Sequence, residues 1–176
     1  LWRPTQYEGE LRGTGMLWLD RGECIDPALT ELVRSLLDDI PDHALFAYPT
    51  PGPLYRKLAT SLGVDADRLM LTRGCDGAIK AVFEAYIAPG DKVLTTQPTY
   101  QMYGVYSHMF GAEPCTVPYR LVDGCPQLDS ADIVEAIGRE KPRLVGLPNP
   151  DNPTGFAFDA DGLRAIVEAA GESGAL

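Results

Sequence analysis

The sequence lacks the clustered ligands of a metal site. It has two histidines, and its four cysteines show no Cys-x-x-Cys spacing. Because a structural zinc site needs Cys or His ligands held close together, the sequence argues against one. With no sign of secretion, we expect the four cysteines to be free, buried thiols: Cys24, Cys75, Cys115 and Cys125.

Long apolar runs and an excess of positive charge are also missing. No apolar run approaches the roughly 18–20 residues that a membrane span requires. The first residues, LWRPTQYEGELRG, lack the basic-then-apolar pattern of a secretory signal. Fifteen basic and 25 acidic residues give a net charge of −10 at pH 7, which argues against nonspecific binding to nucleic acid or acidic membranes. We therefore expect a soluble, cytoplasmic protein.

Residues 1–46 are predicted to form an irregular arm followed by one amphipathic helix. Four glycines interrupt the first 25 residues. Apolar positions then recur at helical spacing through DPALTELVRSLLDDI (26–40), with Asp26 as N-cap and Pro27 at the first helical position. A further helix is predicted to end at Gly63.

The remainder, 47–176, alternates between strands and helices. Strands are predicted at 68–72, 91–96, 113–119 and 143–148, and helices at 75–87, 99–110, 130–140 and 159–173. This alternation is typical of a three-layer α/β domain with a mostly parallel sheet covered on both faces. Pro114 and Pro118 indicate an edge position or an early end for their strand. Helical periodicity turns eight residues inward: Ile79, Val82, Phe83, Tyr86, Leu163, Ile166, Val167 and Ala170.

Ligands of such sheets bind at the carboxyl ends of the strands, where the loop LTRGCDGAIK (71–80) is expected. Gly74 permits a tight turn, after which Cys75 and Asp76 would present backbone N–H groups at a helix N-terminus, a site that suits a phosphate. The alternative is an ordinary helix capped by Asp76. Taken alone, the loop favours this alternative, since short glycine motifs are weak signals.

A second loop, QPTYQMY (97–103), is expected at the same edge. Thr99 is predicted to cap the helix that follows. Tyr100 would fall near the first turn of that helix, where an aromatic ring can stack on a planar ligand. The alternative is that Tyr100, Tyr103 and Tyr106 are packing residues only, an interpretation we favour for the latter two.

The third loop is PNPDNPTG (148–155). Its three prolines restrict the backbone, and the amides of Asn149 and Asn152 offer donors and acceptors. A plain turn between a strand and a helix is the alternative. The expectation that all three loops share one sheet edge favours a binding site instead.

Together these stretches resemble the fold-type I pyridoxal-phosphate aminotransferases, in particular the histidinol-phosphate aminotransferase branch. The resemblance is carried by YPTPGPLYRKLA, by LTRGCDGAIKAVFEAYIAPGDKVLTTQPTYQMY and by PNPDNPTG, and it runs from about Ala47 to the last residue. It implies that Gly74, Cys75 and Asp76 lie where the family binds the cofactor phosphate. Tyr100 resembles the aromatic residue that stacks on the pyridine ring. Asn152 resembles the asparagine that hydrogen-bonds the ring's phenolic oxygen.

The resemblance also implies partners. Tyr48 is similar to the tyrosine that reaches the cofactor phosphate of the neighbouring subunit, which would make the protein a homodimer. An amino acid or amino-alcohol phosphate would donate the amino group to a 2-oxo acid. The sequence departs from the family in the arm, where LDRGECIDPAL replaces the family's usual stretch, and at Asp151, where asparagine is common. The change at position 151 is expected to alter only the turn.

One family residue has no counterpart in the sequence. Lysines occur only at 57, 80, 92 and 141, whereas the family's Schiff-base lysine lies well after the Asn-Pro-Thr-Gly loop. We therefore expect the N-terminal portion of a longer aminotransferase, inactive alone. A non-catalytic binding module of the same half-fold and a decarboxylase of a phosphorylated amino acid remain alternatives.

Overall fold

The structure is a computed structural model that describes Gly15, Cys24 and residues 26–176. The predicted arm thus lies almost wholly outside the described residues. The chain groups into two compact units, one ending at Met70 and the other beginning at Leu71. A boundary between residues 46 and 47, expected from the sequence, stays a prediction.

The first unit consists of helices. It contains α1 (Pro27–Asp38), a 3-10 helix (Asp42–Leu45), α2 (Gly52–Leu62) and a second 3-10 helix (Ala66–Arg68). Asp26 caps α1, since its side chain accepts a hydrogen bond from the Ala28 N–H at 2.9 Å. Gly63 ends α2 in the left-handed region at φ 67°, as predicted.

The strand predicted at 68–72 is wrong. Arg68 ends a 3-10 helix, and residues 69–72 are irregular. A strand requires a neighbour in a sheet, and this segment pairs with none of the three strands of the parallel sheet. Its apolar and β-favouring residues predict an extended backbone, but an extended segment forms a strand only where it joins a sheet.

The second unit is a three-layer α/β domain, as predicted. Its elements are α3 (Gly74–Tyr86), β1 (Lys92–Gln97), α4 (Met102–Phe110), β2 (Glu113–Pro118), β3 (Arg120–Val122), β4 (Cys125–Gln127), α5 (Ser130–Glu140), β5 (Leu144–Gly146) and α6 (Ala160–Ser173). The main sheet has the order β2-β1-β5, and both pairs are parallel. None of the helices among residues 26–176 is long and apolar enough to span a bilayer.

Strand β1 is buried on both faces, and its alternating side chains enter two different cores. Val93, fully buried, joins Phe83 and Leu144 in the core beneath α3 and α4. Leu94, 1% exposed, joins Ile133 and other residues of the core beneath α5 and α6. The helices therefore cover both faces of the sheet. Because β1 and β5 pair parallel, their carboxyl ends lie at the same edge.

One edge of the sheet is the predicted one, and Leu176 lies along the other. Strand β2 is an outer strand of the described sheet, as Pro114 and Pro118 predict. Along the free side of β5, Leu176 donates to the Arg143 carbonyl at 3.1 Å and accepts from the Val145 N–H at 2.9 Å. This alternation is the hydrogen-bond pattern of a parallel ladder.

A small hairpin was not predicted. Strands β3 and β4 pair antiparallel across Asp123 and Gly124, which have φ values of 51° and 76°. Two positive φ angles in a two-residue loop are typical of a hairpin turn, and Asp-Gly is a strong sequence signal for it. The signal was therefore present in the sequence.

Two predicted core residues and three predicted buried cysteines are exposed. Tyr86 is 47% and Val167 68% exposed, whereas Phe83 and Ile166 on the same two helices are buried. Each exposed residue lies at the margin of its helix's apolar stripe, which is broader than the surface that the sheet covers. Of the cysteines only Cys115 is partly buried, while the other three are exposed.

Gly146 leaves space for an aromatic ring at the end of β5. A methyl group at its Cβ position would lie 2.5 Å from Cε1 of Tyr103. We expect Gly146→Ala to lower the free energy of unfolding by about 1–3 kcal/mol, because the ring must move. Urea unfolding measures this loss. Gly138→Ala is the control, since nothing lies within 4 Å of that position in α5 and alanine favours a helix by about 0.5–1 kcal/mol; equal stability of both variants would contradict the prediction.

Candidate functional site

Two of the three predicted loops lie at one sheet edge because their strands run parallel. Strands β1 and β5 are hydrogen-bonded neighbours, so the loops that follow them, 98–101 and 147–159, leave the same edge. The third loop is not brought there by a strand of its own. Instead, the Tyr100 hydroxyl donates a hydrogen bond of 2.6 Å to Oδ1 of Asp76, which attaches the N-terminus of α3 to the end of β1.

The N-terminus of α3 has no side-chain cap. The helix begins at Gly74, which has φ +69°, and the residue before it, Arg73, makes no capping hydrogen bond. The interpretation that Asp76 caps the helix is wrong, because its carboxylate lies in the first turn and accepts from Tyr100. The N–H groups of Cys75 and Asp76 therefore belong to a first turn whose donors lack intrahelical acceptors.

Two of the three tyrosines that follow β1 are packing residues. Tyr106 is buried and donates to the Asp76 carbonyl at 3.3 Å, and Tyr103 packs against Gly146, so both are packing residues as the alternative interpretation predicts. Thr99 does not cap α4, which begins only at Met102. Its hydroxyl is buried and has no hydrogen-bond partner among the residues that the structure describes.

The contact with Asp76 sets the protonation of Tyr100. The hydrogen bond to this carboxylate, together with partial burial and the nearby negative charge, raises the pKa of Tyr100 from 10.0 to about 12. The phenol therefore stays neutral, and donates to Asp76, throughout the neutral range.

We expect the Tyr100 phenol to titrate near pH 12, and Asp76→Asn to lower its pKa toward the ordinary value of about 10. The difference in tyrosinate absorbance between the protein and its Tyr100→Phe variant isolates this group. Because the folded pKa is raised, the contact's contribution to stability is complete below pH 10 and is lost as the pH rises toward 12. A midpoint that Asp76→Asn leaves unchanged would contradict the assignment.

In PNPDNPTG the two asparagines have different environments. Oδ1 of Asn149 accepts a hydrogen bond from the Phe158 N–H at 2.9 Å and so fixes the loop to the segment before α6. Asn152 is exposed, and its amide makes no hydrogen bond within residues 26–176. The peptide bonds before Pro150 and Pro153 are both cis. The structure thus leaves the Asn152 amide available to a ligand.

Asp151, between the two, does more than alter the turn. It is 5% exposed, and its Oδ2 accepts from the Thr154 hydroxyl at 2.6 Å and the Thr154 N–H at 3.2 Å. Its Oδ1 accepts from the Thr96 hydroxyl at 3.4 Å. The expectation of a merely local effect is therefore wrong, since the carboxylate also reaches β1. The Asp-x-x-Thr spacing could have indicated the local part of this network.

These features match a known family. The model of aminotransferases of class I and II matches residues 14–176. This chain belongs to the class I and II aminotransferases. In this chain, Gly74, Cys75 and Asp76 begin α3, Tyr100 reaches Asp76 from the loop after β1, and Asn152 lies in the loop after the neighbouring strand β5.

Individual relatives agree with the family. A protein named histidinol-phosphate aminotransferase from Thiocapsa roseopersicina is 36% identical over 137 residues, covering 76% of this chain and 71% of that protein. One of the same name from Serratia proteamaculans is 31% identical over 168 residues, covering 95% of this chain and 43% of that protein. The crystal structure of histidinol-phosphate aminotransferase from Sinorhizobium meliloti in complex with pyridoxal-5'-phosphate matches with a TM-score of 0.66 and 27% identity, covering 82% of this chain and 37% of that one.

The aminotransferase chain therefore spans less than half the length of the Serratia and Sinorhizobium relatives. Tyr48, expected to act at a neighbouring subunit, lies in the first unit and is fully exposed. Tyr48 lies outside the two loops that meet at the sheet edge, so its role at a neighbouring subunit stays a prediction.

Proposed function

We propose that this chain carries the phosphate-binding and ring-binding part of a pyridoxal-phosphate-dependent aminotransferase that acts on histidinol phosphate. The observation that carries the proposal is the hydrogen bond between Tyr100 and Asp76. It holds an aromatic ring beside an uncapped helix N-terminus at the carboxyl edge of a parallel sheet. This combination suits a flat aromatic ligand with a phosphate group.

The residues fit the cofactor in chemical terms. The first-turn N–H groups of Cys75 and Asp76, with the dipole of the 13-residue α3 behind them, suit a phosphate. Tyr100 provides the stacking ring, and its bond to Asp76 fixes the position of the phenol. Asn152 has an exposed amide that can donate to a phenolic oxygen.

When bound, pyridoxal phosphate supplies the electron sink that amino-group transfer needs. The role we propose for this chain is to bind and orient the cofactor. Covalent attachment through one of its own lysines is not part of the proposal. Lys80 pairs with Glu84 at 2.8 Å, and Lys92 pairs with Glu140 at 2.9 Å. Both ammonium groups lie in surface ion pairs, which raise their pKa values through the hydrogen bonds to these carboxylates.

The finer parts of the proposal are supported by the relatives. The name histidinol-phosphate aminotransferase, which these relatives carry, supports histidinol phosphate as the proposed amino donor. The 2-oxo acid proposed as acceptor rests on the sequence analysis. The proposed homodimer, in which Tyr48 reaches the neighbouring cofactor phosphate, and the cytoplasmic location rest on the sequence analysis.

The test uses the purified full-length protein. We expect it to bind pyridoxal phosphate with a shifted cofactor absorbance, and to transfer the amino group of histidinol phosphate to 2-oxoglutarate. Carbon dioxide release from a phosphorylated amino acid, without amino transfer, would favour the decarboxylase instead. Absence of any cofactor binding would overturn the proposal.

A further inference from the structure

Asp151 is a buried charge next to a residue of the proposed site. Aspartate is seldom buried without partners, because a carboxylate loses its hydration. Here Oδ2 accepts from the hydroxyl of Thr154 at 2.6 Å and from its N–H at 3.2 Å, while Oδ1 accepts from Thr96 at 3.4 Å. These bonds offset the cost of burial. They also require the loop to keep one position relative to β1.

The carboxylate of Asp151 joins the loop after β5 to the end of β1. Thr96, 1% exposed, belongs to β1. Tyr119 follows β2, and its N–H donates to the Gln97 carbonyl at 3.0 Å. The Tyr119 hydroxyl is buried near Asp151, and burial is the main cause that raises its pKa, yet among the described residues it makes no well-formed hydrogen bond. The carboxylate therefore lies where β1, β2 and the loop after β5 meet.

The same residue fixes the backbone on both sides of Asn152. The Asp151 N–H donates to the Phe156 carbonyl at 2.7 Å, and the Asp151 carbonyl accepts from the Gly155 N–H at 2.8 Å. With the bonds to Thr154, this closes a short turn in which Asn152 points outward and is exposed. The backbone that carries the Asn152 amide is therefore fixed, although the amide itself makes no hydrogen bond within residues 26–176.

We propose that Asp151 is a positioning residue for the cofactor: its buried carboxylate holds the PNPDNPTG loop against Thr96 so that the Asn152 amide meets the cofactor ring. This inference rests on the proposed function and adds a residue to it. Asp151 does not touch the cofactor and acts through Asn152.

The test is a double-mutant cycle on the full-length protein, with the dissociation constant of pyridoxal phosphate as the readout. Asp151→Ala should weaken binding about tenfold or more, the value of one well-placed hydrogen bond. In the Asn152→Ala background the same change should have little further effect, because the residue it positions is gone. Asp151→Asn, which keeps an acceptor for Thr154, should restore binding to within about threefold of the wild type.

Two controls separate positioning from stability. Asp129 is an exposed aspartate whose side chain caps α5 through the Ala131 N–H at 2.9 Å, so Asp129→Ala should lower the melting temperature and leave cofactor affinity unchanged. Thr154→Val removes the 2.6 Å bond without removing the carboxylate. If Asp151→Ala does not fold, Thr154→Val replaces it in the double-mutant cycle and should show the same non-additive effect with Asn152→Ala.

The outcomes are distinct. If the wild-type protein binds no pyridoxal phosphate, the proposed function fails and the inference fails with it. If the wild type binds but the effects of Asp151→Ala and Asn152→Ala simply add, Asp151 has only a structural role and the inference alone is overturned. Unchanged affinity in both Asp151→Ala and Thr154→Val overturns it equally.

Discussion

Asn152→Ala should weaken the binding of pyridoxal phosphate by about ten- to hundredfold while leaving the free energy of unfolding within about 0.5 kcal/mol of the wild type. The affinity falls because the lost hydrogen bond would be made to a charged or polarised ring oxygen. The stability is kept because the exposed amide makes no hydrogen bond within residues 26–176. Cofactor titration and urea unfolding of the full-length protein measure the two quantities.

Asn149 provides the matched control in the same loop. Its side chain accepts from the Phe158 N–H, so Asn149→Ala leaves a half-buried donor without its partner and should cost about 1–3 kcal/mol of stability. Asn152→Ala should therefore change cofactor affinity, whereas Asn149→Ala should change stability. If Asn152→Ala binds the cofactor as tightly as the wild type, the assignment of its amide to the ring is wrong.

What the sequence predicts well is decided by neighbours in the chain. Asp26 caps a helix that begins at the next residue, and Gly63 ends a helix through its own left-handed backbone. Phe83 is buried because helical spacing places it on the covered face of α3. Each of these features depends on a few adjacent residues, which a sequence pattern contains.

The failures depend on residues far apart in the chain. The alternative in which Asp76 caps α3 is wrong because its carboxylate binds Tyr100, which lies 24 positions away. Asp151 was expected to affect only a turn because Thr96 lies 55 positions away. The 68–72 segment lacks a place in the sheet, which no local propensity decides. The family was thus predictable from motif order, whereas the hydrogen bonds between distant residues were not.

The core beneath the site should also be sensitive to a single truncation. Phe83 is fully buried, with its ring centre 5.9 Å from that of Tyr106 and 6.0 Å from that of Phe110. Phe83→Ala should lower the free energy of unfolding by about 3–5 kcal/mol, because it removes aromatic contacts and leaves a cavity. Since small domains are stable by only about 5–15 kcal/mol, urea unfolding would detect a large shift.

Tyr86, three residues further along α3 and 47% exposed, is the control for the Phe83 prediction. Tyr86→Ala should lower the free energy of unfolding by less than about 1 kcal/mol, because its half-exposed ring buries little apolar surface. A smaller loss in Phe83→Ala than in Tyr86→Ala would contradict the packing of α3 on β1. Phe83 also joins α3 to α4, the helices that hold Asp76 and Tyr106. Its truncation should therefore also weaken cofactor binding below the melting temperature, since the first turn of α3 and the Tyr100 ring, which we propose bind the cofactor, lose their common support.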